Sequence, residues 1–165
     1  MKPQRILGVD PGLRITGYGI VDVDGHKPKL VEAGVIQPDA GAPLERRLAE
    51  LHDALAEIVR GLRPDCVVIE ELWSSYRHPA TAVLMGHARG VLCSVAGSHG
   101  VTVNALAHAL VKRALVGSGG ASKEQVKKMV AQLLGLRTLP QPDDVSDALA
   151  LALAFAFRNN GCSRA

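Results

Sequence analysis

The stretch that most constrains this chain is Ile6-Leu7-Gly8-Val9-Asp10-Pro11-Gly12, followed almost at once by Thr16-Gly17-Tyr18-Gly19-Ile20. Ile6, Leu7 and Val9 suit a strand covered on both faces. Asp10 therefore stands where the apolar run stops, at the carboxyl edge of a sheet, where α/β proteins hold ligands. Pro11 and Gly12 supply turn chemistry, and Gly17 and Gly19 alternate along a second strand. Glycine weakens a strand interior, so this alternation implies that something comes close to the backbone there. An isolated Asp-Pro-Gly reads most simply as a turn opener; a functional reading requires further carboxylates at the same edge.

The rest of the chain supplies them. A third strand at about 30–36, reached across the turn Asp24-Gly25-His26-Lys27-Pro28, completes an antiparallel meander. Leu44, Leu48, Leu51, Leu55, Ile58 and Val59 recur at helical spacing, predicting an amphipathic helix over 43–62 that Arg63-Pro64-Asp65 breaks. Cys66-Val67-Val68-Ile69 then repeats the opening pattern, an apolar run ending in the carboxylates Glu70 and Glu71. A helical crossover lets this fourth strand lie parallel to the first with right-handed connection, setting Glu70 beside Asp10. A fifth strand over 101–106 and a helix over 108–116 follow. Ser122 with Gln125 forms a capping box that opens a helix over 123–134, and Lys123 at that N-terminus is a plausible seat for a backbone phosphate. The last helix opens with Asp143, Asp144 and Asp147: Asp144 and Asp147, three apart, share a face, and Asp143 and Asp147, four apart, can also.

At 165 residues the chain fits one domain, assigned to 1–158, with 159–165 expected to be a disordered tail. The start lacks the apolar core of a signal peptide and no run spans a membrane, which points to the cytoplasm. Cys66, Cys93 and Cys162 are odd in number and widely spaced, and the first two are expected to be buried free thiols. The six histidines show no metal-ligand spacing, and Gly117-Ser118-Gly119-Gly120 lacks the Gly-Lys-Ser/Thr ending of a phosphate loop. Between Asn104 and Gln141 six basic residues, among them Lys112 and Lys123, stand against the single acid Glu124, a balance that attracts polyanions. Trp73 and Tyr76 share a short loop with Arg77 and His78, a composition suited to stacking on an unpaired base, although Trp73 could equally cap the core. The helix over 80–98 is apolar or small nearly all round, so a twofold partner is expected to cover its second side near Leu84 and Val91.

Two strand-edge carboxylates and two on a helix start make an oxygen-only site, which selects Mg²⁺ first and Mn²⁺ as a substitute. Two such ions, about 3.5–4 Å apart, serve in-line phosphodiester displacement by activating a water and steadying the departing oxygen. With the basic segment this describes a metal-dependent nuclease.

A three-strand meander, a helix, a parallel fourth strand and a fifth, with acids on the first strand, fourth strand and final helix, resembles the ribonuclease H-like fold, an α/β class with a five-stranded mixed sheet flanked by helices. More narrowly, Gly8-Val9-Asp10-Pro11-Gly12 with Thr16-Gly17-Tyr18-Gly19, Ile69-Glu70, Gly86-His87-Ala88-Arg89-Gly90 and Asp144-Val145-Ser146-Asp147-Ala148-Leu149-Ala150 are similar to the RuvC family of Holliday junction resolvases. The resemblance implies a homodimeric endonuclease that nicks a four-way DNA junction symmetrically, in cooperation with RuvA and RuvB branch-migration proteins. It implies Asp10, Glu70, Asp144 and Asp147 as metal-binding catalytic acids, Trp73 in place of a stacking aromatic that is commonly Phe, and Lys112 and Lys123 at the DNA backbone; Arg77 joins them as a DNA contact. Glu71 and Asp143 are competing neighbours; counting back from Asp147-Ala148-Leu149-Ala150 favours Asp144. Three rival readings are a ribonuclease H-like nuclease acting on RNA-DNA hybrids, a non-catalytic junction-binding module, and an actin-like ATPase, which needs two such subdomains where this chain has one.

Overall fold

A computed structural model of the chain describes residues 3–71 and 79–162. Trp73 and Arg77, together with Tyr76 and His78, lie outside the described residues.

Five strands form one sheet: β1 (Gln4–Asp10), β2 (Thr16–Asp24), β3 (Lys27–Ile36), β4 (Cys66–Glu70) and β5 (Thr102–Leu106), in the order β3-β2-β1-β4-β5. The pairs β3/β2 and β2/β1 are antiparallel, whereas β1/β4 and β4/β5 are parallel. This is the expected mixed sheet. The turn between β2 and β3 is tighter than the sequence suggests. Asp24 pairs with Lys27 across Gly25 (φ +58°) and His26, and Pro28 already lies in β3 opposite Val23. Proline is tolerated there because β3 is an edge strand whose outer backbone owes no ladder bond.

The helices are α1 (Leu44–Leu62), α2 (Pro79–Ser98), α3 (His108–Val116), α4 (Lys123–Leu133) and α5 (Asp143–Cys162). Arg63, in the left-handed region at φ 49°, returns its N–H to the Val59 carbonyl and stops α1 just before Pro64. The capping box of Ser122 and Gln125 is formed at the start of α4. The last helix continues past Arg158, where the sequence reading ended the folded domain, as far as Cys162.

Strand alternation sorts the core into two layers. Ile6, Val21, Val23, Cys66 and Val68 pack with α3, α4 and α5, while Leu7, Val9, Ile20, Val67 and Ile69 pack with α1 and α2. Each fully buried Leu or Ile contributes about 1.5–3 kcal/mol. The same period of two carries Ile6 and Gly8 to Asp10, and Cys66 and Val68 to Glu70, so both acids emerge on the face that α5 covers. Helix α5 lies against β1 and β2 at glycines. A methyl group at Gly8 would meet the Ala148 backbone, one at Gly17 the Asp144 backbone and one at Gly19 the Leu149 side chain. The close approach implied by Gly17 and Gly19 is this helix.

Cys66 is buried as expected, and burial together with Asp65 pushes its thiol up to about 11. Cys93 is exposed, contrary to expectation. Helix α2 turns Ala88, Leu92, Val95 and Ala96 to the core, which leaves Cys93 on its outer side.

Candidate active site

β1 and β4 run parallel in the register Val9↔Ile69, and one step further places Asp10 beside Glu70 at the same carboxyl edge. The exit of β1 is pinned by Thr16, which is buried: its hydroxyl donates to the Gly12 carbonyl at 2.6 Å and accepts from the Gly12 N–H at 3.0 Å. Because α5 sits on Gly17 and Gly8, its first two turns deliver Asp144 and Asp147 to that edge.

The electrostatics record the convergence. Burial, then Asp147, Asp144 and Glu70, push the Asp10 carboxyl up to about 7, and Lys123 opposes the shift. Asp10, Glu70 and Asp147 line one cleft with His108, Lys112 and Lys123. Asp144 lines the adjoining groove on the other side of the α5 start. Lys112 and Lys123, marked in the sequence by the basic segment, by the helix start at Lys123 and by the family resemblance, therefore line the same cleft as Asp10, Glu70 and Asp147.

The neighbouring carboxylates separate cleanly. Asp143 is exposed and bound to Lys127 at 2.6 Å, which holds its carboxyl below the usual range, and it is not among the groups that shift Asp10. Glu71 is also exposed; its N–H bonds the Leu106 carbonyl and its side chain does not line the cleft. Lys127 and Lys128 are partly neutralised, the latter by Glu124 at 2.8 Å, so the basic face is less uniform than its composition.

Two contacts were not read from the sequence. His108 Nδ1 lies 2.8 Å from Glu70 Oε1, and Arg89 on α2 donates to the backbone carbonyl of Glu70. The signal for His108 was topological. It stands two residues after Leu106, which pairs with Glu70 in the parallel β4/β5 register, so the chain leaves β5 at the same edge. Arg89 was visible only as part of a motif.

Four carboxylates supply hard oxygen donors only, and three of them, Asp147, Asp144 and Glu70, add to burial in pushing the Asp10 carboxyl up. Among the described residues no three acids, histidines or cysteines already close around one point. Asp147 instead meets Lys123 at 2.9 Å and Glu70 meets His108. The donor set therefore fits a divalent cation.

The profile described as crossover junction endodeoxyribonuclease RuvC matches residues 6–155. The chain belongs to the RuvC family. It is 45% identical over 160 residues to the crossover junction endodeoxyribonuclease RuvC of Gluconacetobacter diazotrophicus, covering 97% of this chain and 94% of that protein. It is 43% identical over 155 residues to that of Rhodopirellula baltica, covering 94% and 87%. In structure it resembles Thermus thermophilus RuvC in complex with a Holliday junction substrate, with a TM-score of 0.92 and 35% identity over 97% of both chains. The yeast mitochondrial resolvase Ydc2, at 13% identity and a TM-score of 0.71, shares the fold. No helix among the described residues is long and apolar enough to cross a membrane.

Proposed function

We propose that this chain resolves four-way DNA junctions by paired nicks, as a divalent-metal-dependent endonuclease whose catalytic acids are Asp10, Glu70, Asp144 and Asp147. The observation that carries this reading is the convergence of four carboxylates from β1, β4 and α5 on one edge, where burial first, and then Asp147, Asp144 and Glu70, push Asp10 to about 7. Membership of the RuvC family supports the substrate.

Asp10, Glu70, Asp144 and Asp147 would hold Mg²⁺, or Mn²⁺ in its place, as two ions per site. When bound, such ions polarise the phosphoryl oxygen and lower the pKa of a coordinated water. The chain's own groups do the rest. Lys112 and Lys123 line the cleft from α3 and α4 and bind backbone phosphates, and Lys123 leaves Asp147 to do so. His108 orients Glu70, and Arg89 fixes the carbonyl at the strand end beneath it. Trp73 and Arg77 supply stacking and charge to the unpaired junction centre, and RuvA and RuvB deliver the junction.

Two symmetric nicks need two sites, so the working unit is a homodimer. Helix α2 supports this: Val83 is 60% and Leu84 41% exposed, with Gly86 and Gly90 open to close approach on the same side.

Cleavage of a synthetic four-way junction with a short mobile core, in Mg²⁺, tests the proposal with the parent and Asp10→Asn proteins. Paired symmetric nicks from the parent, with binding but no cleavage by the variant, are expected. A parent that binds junctions and never cuts them in Mg²⁺ or Mn²⁺ is a binding module; one that ignores junctions and cuts RNA-DNA hybrids is a different nuclease of the same fold.

A further inference from the structure

The start of α5 forms a ridge between two concavities. Asp147 faces the cleft that contains Lys112 and Lys123, and Asp144 faces a second groove whose lining joins Arg14 and Arg47 to the apolar Leu13, Ile15, Leu84 and Met85, so that it borders the exposed face of α2. Each side of the acid ridge thus carries a pair of basic residues. The second pair belongs to neither the acid site nor the basic α3–α4 segment.

We propose that this second groove is a phosphodiester-binding subsite for the DNA strand where it continues past the acids, with Arg14 as the residue that meets the phosphate. The proposal rests on the nuclease reading above. A strand whose scissile bond lies over the acids must run off the ridge on both sides. Lysines receive it on one side, and on the other the described residues offer Arg14 and Arg47.

Arg14 is exposed on the loop between β1 and β2, whose position Thr16 fixes through Gly12. Arg47 supports it from α1. One of its terminal nitrogens donates to the Leu13 carbonyl at 2.8 Å, bracing the residue that precedes Arg14. Its Nε is buried and finds no acceptor among the described residues. The exposed guanidinium of Arg14 presents five donors in a planar fork, and an anionic phosphate oxygen is the acceptor that matches it. Arg47 is accordingly a positioning residue and Arg14 the contact.

The test measures junction binding in the Asp10→Asn background, which separates binding from cutting, across a series of salt concentrations. Arg14→Ala is expected to weaken binding about tenfold and to make the dependence of log K on log salt shallower by about 0.9, the signature of one lost phosphate contact. Arg14→Lys restores the slope. Thermal stability is unchanged, because Arg14 is exposed. Replacing single phosphates beside the cleavage point with uncharged methylphosphonates locates the contact. At one position neutralisation weakens binding by the Arg14 protein and leaves Arg14→Ala unaffected. If the Asp10→Asn protein prefers junctions but Arg14→Ala keeps the parent slope and the same methylphosphonate profile, the subsite is refuted and the nuclease reading stands. If Arg14→Ala shows the expected change on linear duplex while junctions are not preferred, the subsite stands and the junction assignment falls. If the Asp10→Asn protein binds no DNA, both fall.

Discussion

Replacing Gly17 by Ala tests whether close seating of α5 creates the active site. The added methyl would lie 2.8 Å from the Asp144 Cβ and closer still to its carbonyl group. Carbon atoms prefer about 3.5–4.0 Å, so the first turn of α5 must retreat by about 1 Å. It cannot yield by turning a side chain, since the obstructing atoms include helix backbone at the point where Asp144 is delivered. Overpacking of this kind costs roughly 1–3 kcal/mol. For a chain of this length the middle of that range lowers Tm by about 4–8 °C. The larger effect falls on chemistry, because about 1 Å of misplacement in a reacting group costs on the order of 100-fold in rate. Junction cleavage under single-turnover conditions and a thermal melt, measured together, check both magnitudes. Gly25→Ala is the comparator. Its φ of +58° makes Ala unfavourable by about 1–2 kcal/mol. Nothing lies within 4 Å of the methyl, and the turn is at the opposite end of β2 from Gly17, so cleavage should be unchanged. A parent-like cleavage rate for Gly17→Ala, or an equal loss for Gly25→Ala, would refute the argument.

The metal-free protein should lose stability as pH rises. The Asp10 carboxyl is raised to about 7, so the folded state holds its proton more tightly than the unfolded state, and the penalty develops from about pH 4 and is complete above about 7. Its ceiling is ~4 kcal/mol; melts in chelator between pH 5 and 8 should show the fall, with Asp10→Asn flattening it and Mg²⁺ reversing it, and a flat parent profile would count against the clustered charge. His108→Ala removes the partner 2.8 Å from Glu70 and should lower cleavage by about 10–100-fold with junction binding retained. A full cleavage rate in that variant would show that Glu70 needs no such support. Val83→Glu places a charge on an exposed apolar residue of α2 and should yield folded monomers in sedimentation. It is a cleaner probe than Val91, which packs against the core of this chain, and a persistent dimer would move the interface elsewhere.

Much of the site was legible because strand periodicity and strand ends are local. Ile6 to Asp10 and Cys66 to Glu70 each announce a buried strand ending in an acid, and the helix between them dictates parallel neighbours. The glycines at 17 and 19 declared a close approach but not what approached. Cys93 was misplaced for a related reason. An all-apolar helix conceals which side its own fold covers, and only the packing of Ala88, Leu92 and Val95 settles it.

Composition and pattern alone therefore determine the strands, the helices and the chemical type of the four acids, since hydrophobic period, turn residues and capping act over a few neighbouring positions. Tertiary structure decides which carboxylates share a field. Asp143 and Asp144 are adjacent and chemically identical, yet one meets Lys127 and the other helps raise the pKa of Asp10. His108 reaches Glu70, and Arg14 comes to line one groove with Asp144, by the same means. Those assignments depend on where α5 rests on the sheet and on how β5 registers with β4, distances set by packing between segments far apart in the chain, to which no local pattern is sensitive.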